Sequence, residues 1–282
     1  MTIRNAAPGA GRPAPRRGLA GLSPRRRALV VAVTLIAAAA VTAAVVTVVL
    51  NRLAAPGSAG TVPQDRPGPV LLVPGYGGQR SSLAPLAARI RAAGRQATVL
   101  SLPGNGTGDL NADADALNAA VTRALAAGAP SVDVIGYSAG GVVALLWARH
   151  DGGFAKARRV VTLGSPFHGT TIAAGAEGFV PGACPLACQQ LVPGSRLLAG
   201  VDATPVPARP RWVSLWTTDD QVVTPPGSAR LAGALNVAIQ SVCPAERISH
   251  GQLPANPVVT AIVLQAIGRG PVAAPTAADC RG

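Results

Sequence analysis

The first long feature of the hydrophobic pattern is an unbroken apolar run, ALVVAVTLIAAAAVTAAVVTVVL, from Ala28 to Leu50. It carries no charge and exceeds the roughly 20 residues that a helix needs to cross a bilayer. After it, residues 51–69 are rich in Pro, Gly and small side chains without an apolar period, which predicts a linker. Short runs of Val, Leu and Ile then alternate with longer segments of helical period, the pattern of a parallel sheet covered by helices. Strands are predicted at Val70 to Val73, Ala97 to Leu102, Ser131 to Ile135, Arg159 to Leu163, Arg211 to Trp216 and Leu235 to Val242.

Helices between them are marked by their ends. Ser81 or Ser82 is placed to cap a helix with Leu83, Leu86 and Ile90 on one face and Gly94 as its stop. Asn111 is placed to cap a second, with Leu117, Val121 and Leu125 and a stop at Gly128. Two more are predicted from Ala139 to His150 and from Pro257 to Ile267. The segment from Phe167 to Pro210 breaks the alternation, with Gly, Pro, two cysteines and only short apolar pieces. Loops of that length are usually functional. It reads either as a disulfide-stapled excursion or as a cap over a binding site.

Charge refines the picture of the N-terminus. Of the net +13, seven charges come from arginines in residues 1–27, which hold no acid, and beyond Arg52 the net charge is only +5. With 3% aromatics the domain offers no stacking platform for nucleic acid, and no nucleic-acid partner is expected. The basic tail before the apolar run places the N-terminus in the cytoplasm and residues 51–282 outside it. The run reads as a single-pass anchor over 28–50. The rival is a cleaved signal with small residues at Ala54, Ala55, Ser58 and Ala59 for a peptidase, but signal cores are shorter, about 7–15 residues.

All four cysteines follow the run, on the side where disulfides persist. Nearness in sequence favours Cys184 with Cys188 and Cys243 with Cys280. No histidine stands at metal-finger spacing from them, so no metal is expected.

The chemistry concentrates in GYSAG, Gly136 to Gly140. A β-run precedes it and a helical run follows, giving the strand, tight turn and helix of a nucleophile elbow with Ser138 at its tip. A serine hydroxyl needs a base. Of three histidines, His150 lies down the helix, His168 sits in GSPFHGT, and His250 follows the last strand, where the order Ser, acid, His puts the base. Asp219 and Asp220 close the preceding strand, and Asp220 is preferred for its spacing to Val222 and Val223. Oxyanion N–H donors are expected from Ala139 and from Tyr76 in the glycine-rich loop VPGYGG. That loop lacks the Lys-Ser/Thr ending of a P-loop, so nucleotide binding is not expected.

Together VLLVPGYGG, GYSAGG, LGSPFHGT, the Asp220 turn and Ser249-His250 resemble the small bacterial lipases, the class 2 or Bacillus-type triacylglycerol lipase family and its actinobacterial members. The resemblance spans roughly Pro69 to Gly268. It implies a domain over 70–282 with the α/β-hydrolase fold of about six mostly parallel strands, with 167–210 as a cap-like insertion. It further implies a monomer that hydrolyses acyl esters or lipids without a cofactor through Ser138, Asp220 and His250. Pro74 stands where the family often has histidine. The same constellation would serve an acyltransferase or thioesterase, and a catalytically silent binding protein could keep the fold.

Overall fold

The computed structural model describes residues 23–54, 61–179, 184–201 and 203–281. The chain divides into an N-terminal unit ending at residue 58 and a domain beginning at residue 59. The basic tail lies almost wholly outside the described residues.

The N-terminal unit is one helix, α1, Pro24–Ala54. Its stretch Pro24–Ala43 has a mean hydropathy of 1.7 and none of it is buried, so by length and composition it can cross a membrane or serve as a signal sequence. Thr42 returns its hydroxyl proton to the Ala38 carbonyl at 2.8 Å, and Thr34 does the same to the Val30 carbonyl, so neither hydroxyl would be stranded in an apolar solvent.

In the domain, six strands form one parallel sheet in the order β2-β1-β3-β4-β5-β6. They are β1 Val70–Val73, β2 Ala97–Val99, β3 Val132–Tyr137, β4 Ala157–Leu163, β5 Arg211–Trp216 and β6 Leu235–Ala238. The helices are α2 Ala84–Ala92, α3 Leu110–Ala126, α4 Ala139–His150, α5 Gly153–Lys156, α6 Thr171–Phe179, α7 Leu186–Gln190, α8 Arg196–Val201, α9 Ile239–Val242 and α10 Pro257–Ala266.

Alternate strand residues feed two cores, one on each face. Leu71, Val73, Val134 and Val160 pack with α3 and α4, while Leu72, Ile135, Val161 and Leu215 pack with α2 and α10. Strand order reverses between β1 and β3, and ligands of such sheets bind in the crevice at the carboxyl ends of the strands there.

Several boundaries differ from the sequence expectation, each for a reason in side-chain bonding. α2 begins at Ala84 after a 3-10 turn, and Ser82 donates to the Gln79 carbonyl at 2.7 Å instead of capping it. Asp109, not Asn111, caps α3, accepting the Asn111 N–H at 2.9 Å. The last strand ends at Ala238, four residues early, because Gln240 turns in to bridge Thr217 Oγ1 (2.8 Å) and the Thr218 N–H (2.9 Å) at the end of β5.

Residues 61–69, expected as linker, belong to the domain. The Val62 N–H reaches the Ala155 carbonyl at 2.9 Å, and Ser131 Oγ joins the Arg66 carbonyl to the Gly68 N–H. The disulfides are Cys184–Cys188 and Cys243–Cys280, the pairs that nearness in sequence favours.

At the amino ends of the strands, Asp133 is fully buried between two arginines. Arg158, also fully buried, meets it through Nε (3.0 Å) and Nη2 (2.6 Å), and Arg95 through Nη2 (2.8 Å). Both arginines also donate to carbonyls at the end of α10, Arg158 to Gly268 and Arg95 to Ile267, at 2.8 Å each. The carboxylate thus ties the two arginines into a bracket that fastens the last helix to the sheet. Removing one partner of a buried ion pair leaves an uncompensated charge and costs about 3–5 kcal/mol. Asp133→Ala is expected to lose that much in urea denaturation; a loss under about 1 kcal/mol would show that water reaches the arginines.

Candidate active site

Ser138 sits between the last residue of β3 and the first of α4, with φ +54° and ψ −127°. Asn105 is the only other described non-glycine residue with positive φ. A non-glycine residue persists in such a region only where its surroundings over-determine it. Here the Ser138 N–H is held by the Leu163 carbonyl at 2.8 Å, and α4 starts immediately. The flanking glycines are a packing requirement: a Cβ on Gly136 would lie 2.5 Å from the Gly140 carbonyl oxygen, and one on Gly140 2.2 Å from that of Val73. So the G-x-S-x-G spacing is what lets strand, elbow and helix close on β1.

His250 and Asp220 meet at 2.7 Å through Nδ1 and Oδ2, both buried, at the carboxyl side of the sheet beyond β6 and β5. The other carboxylate oxygen, Oδ1, accepts the Val222 (2.9 Å) and Val223 (2.8 Å) N–H groups. The spacing that favoured Asp220 in the sequence is therefore an Asx turn that fixes the carboxylate. Asp219 is half-buried and turns to Gln240, 3.5 Å from its Nε2. Ser249 begins the short helical turn His250–Gln252 through a reciprocal capping box with Gln252, which sets the direction of the ring.

Two residues that sequence reasoning did not single out support this pair. Tyr137, the variable residue of the motif, donates its hydroxyl proton to the His250 carbonyl at 3.2 Å, and its ring lies 5.2 Å from the imidazole. Burial, and secondly the Asp220 charge, push its phenol up to about 12, so it stays a donor at neutral pH. Gly164, in the LGSP run after β4, has φ +55° and passes directly beneath: a Cβ there would stand 3.1 Å from His250 Nδ1 and 3.2 Å from Asp220 Oδ2. Leu163, which holds the Ser138 N–H, is its neighbour, so the elbow and the His–Asp pair rest on adjacent residues of one strand end. Among the described residues no hydrogen bond joins Ser138 Oγ to the imidazole; such bonds are often long before substrate closes the site.

The loop after β1 covers the elbow. A Cβ on Gly75 would fall 2.8 Å from Ser138 Cβ, and the turn over Tyr76 is closed by the Gly78 N–H on the Gly75 carbonyl at 2.9 Å. Tyr76 is exposed, whereas Ala139 is buried at the first position of α4, where the N–H has no intrahelical partner.

Beside Ser138 opens a pocket of about 230 Å³, mostly apolar, walled by the loop after β1, α6, α7 and the Asp220 turn. A larger concavity of about 740 Å³, near Arg95, Thr98 and Ala124, lies at the amino ends of the strands and holds neither serine nor histidine. Chemistry argues for the smaller one. His150 is exposed at the end of α4, and exposed His168 borders a separate hollow with Phe167 and Leu198, so neither lines the Ser138 pocket. Among the described residues no cluster of His, Cys, Asp and Glu could hold a metal ion.

The segment from Phe167 to Pro210, expected as irregular chain, contains α6, α7 and α8; residues 180–183 and 202 fall outside the described ones. Its inner end is clasped to the acid turn. Thr170 Oγ1 donates to the Val222 carbonyl (2.6 Å) and accepts the Thr224 N–H (3.2 Å), and the Thr171 N–H reaches the Thr224 carbonyl (2.9 Å). Farther along, Gln190 accepts the Leu110 N–H (2.9 Å) and donates to Asp109 Oδ1 (2.7 Å), docking α7 on the start of α3. The bond from Gln190, and secondly the Asn111 N–H, hold the Asp109 carboxyl below its usual range.

No family model matches the sequence, and no curated protein matches it. Solved structures do resemble it. Lipase B of Aspergillus fumigatus superposes with a TM-score of 0.60 at 18% identity, over 77% of this chain and 56% of that one. The mature form of the Bacillus licheniformis lipase BlEst2 gives 0.52 at 20% identity, over 60% of this chain and 82% of that one. Its propeptide form gives 0.52 at 18%, over 67% and 47%. The chain thus spans little more than half the length of the Aspergillus protein, and at these identities the likeness is one of architecture. Six parallel strands flanked by helices, in this order and with these neighbours, are the α/β-hydrolase fold.

Proposed function

We propose that the domain is a serine ester hydrolase acting outside the cytoplasm, tethered by residues 28–50, with Ser138 as nucleophile, His250 as base and Asp220 as the orienting acid. The observation that carries this reading is the strained Ser138 backbone at a helix start, beside a buried His250–Asp220 pair at 2.7 Å. A structural serine needs no such conformation, and a binding site needs no such pair.

In the reaction, His250 Nε2 takes the Ser138 hydroxyl proton as Oγ attacks the acyl carbon. Negative charge on the carbonyl oxygen is met by the Tyr76 and Ala139 N–H groups, the latter strengthened by the α4 dipole. The imidazolium, steadied by Asp220, gives its proton to the departing alkoxide. Water, deprotonated by the same nitrogen, then attacks the acyl-enzyme, the proton returns to Ser138 Oγ, and the acid leaves. No step calls for a metal or cofactor. The Bacillus-type lipase resemblance of the five motifs, the lipase names of the two neighbours and the apolar pocket all favour carboxylic esters. The apolar α1 and the two disulfides favour the extracytoplasmic side.

A fluorophosphonate probe tests the reading against that of a silent binding protein. Peptide mapping is expected to place the phosphonyl group on Ser138, with labelling lost after heat denaturation. An unlabelled native protein, or a label on another serine, would overturn it.

A further inference from the structure

The pocket beside Ser138 has a property that the reaction itself does not require: its size is set by the insertion. Its lining has no charged side chain, so it suits the hydrocarbon part of an ester. Ile172, Ala173 and Ala176 contribute from α6, at spacings that put them on one stripe of that helix. Cys188 and Leu191 contribute from α7 and the residue after it, and Val223 from the acid turn. Two of these walls are fastened to the rest of the domain. The Thr170 clasp fixes the start of α6, and the Cys184 disulfide and Gln190 fix α7.

Resting on the ester-hydrolase reading, we propose that this pocket is the acyl site and that α6 limits it to straight acyl chains of about four to eight carbons, with Ala176 the residue that leaves the room. The volume sets the limit. A methylene takes about the space of a water, roughly 30 Å³, so 230 Å³ is filled by a chain of about that length and longer chains run out into solvent. Each methylene buried inside should raise kcat/KM about fourfold, and each beyond the pocket should add nothing. The two alanines decide this, since Ala173 is buried and Ala176 half-buried on the stripe facing the pocket. A phenyl group at 176 would take up the space of several methylenes.

The test is the chain-length profile of p-nitrophenyl esters from acetate to palmitate, measured on the full chain in nanodiscs. For the wild type, kcat/KM should rise about 10³-fold or more from acetate to octanoate, as six methylenes at about fourfold each imply, and level off or fall beyond it. In Ala176→Phe the octanoate-to-acetate ratio should drop at least tenfold, with Ala176→Val intermediate and deciding the matter if the larger residue prevents folding. Glu177→Gln, exposed and outside the lining, should leave the ratio unchanged. A wild-type profile still climbing to palmitate, or an unchanged ratio in the Ala176 variants, would overturn the acyl-site assignment while acetate turnover kept the hydrolase reading intact. Absence of turnover with every ester, acetate included, would overturn both.

Discussion

Ser138→Ala is expected to leave a folded protein whose ester turnover falls about 10⁶-fold, to the background of the uncatalysed reaction plus what the oxyanion donors alone supply. The size of the loss follows from the way the three groups act as a unit. Without Oγ there is no acyl-enzyme, and the base and acid have no proton to move. The fold should tolerate the change because the hydroxyl forms no hydrogen bond within the described structure, while the N–H bond to the Leu163 carbonyl belongs to the backbone and survives. Urea denaturation should match the wild type within about 0.5 kcal/mol, as for other substitutions that remove no contact. Steady-state turnover of p-nitrophenyl butyrate checks the first half; activity within tenfold of the wild type, in protein free of contaminating esterase, would end the case for Ser138.

The second large effect separates two neighbouring carboxylates. Asp220→Asn should lower kcat by about 10⁴ with KM little changed, the loss seen when the acid of such a triad is replaced by its amide. The geometry explains why the amide is so damaging. Its oxygen can still accept the Val222 and Val223 N–H groups, so the turn stays in place, and its NH₂ is then aimed at His250 Nδ1. Nδ1 must become an acceptor, the ring proton moves to Nε2, and the nitrogen facing Ser138 can no longer take a proton. Asp219→Asn loses only a long contact to Gln240 and should change kcat by about twofold or less. The reverse pattern would move the role to Asp219.

Much of this arrangement was legible in the sequence because it is written in local terms. The strands are short and each carries valine, and each of the four helices expected ends within two residues of the stop that the sequence marks, at Ala92, Ala126, His150 and Ala266. The elbow, the Asp220 turn and the Ser249-His250 start are contained within five residues or fewer, so spacing alone exposes them. What escaped is what distant bonds decide. Residues 61–69 look like linker until Ser131 Oγ is seen to gather Arg66 and Gly68 from over 60 positions away. The start of α3 is finished by Gln190, 80 positions on, and β6 is cut short by a glutamine that bonds across to β5. Gly164 merely follows the expected strand Arg159 to Leu163 in the sequence, and its place as the floor under the His250–Asp220 pair appears only when three strand ends are brought together. The signal was present in LGSPFHGT, where a glycine with no turn partner follows the strand next to the elbow.

The clasp at Thr170 bears on how this protein could change its substrate. One hydroxyl, at Thr170 near the start of the insertion, joins it to the turn that aims Asp220, so the two cannot be altered separately at that point. A substitution at the root of α6 would shift Asp220 together with the pocket wall and trade rate for any gain in fit. Farther along the helix, the methyl groups of Ala173 and Ala176 make no hydrogen bond to that turn, and they can be exchanged without disturbing the His250–Asp220 pair. On the ester-hydrolase reading, a mutant library aimed at new esters belongs at those two positions of α6, away from its root.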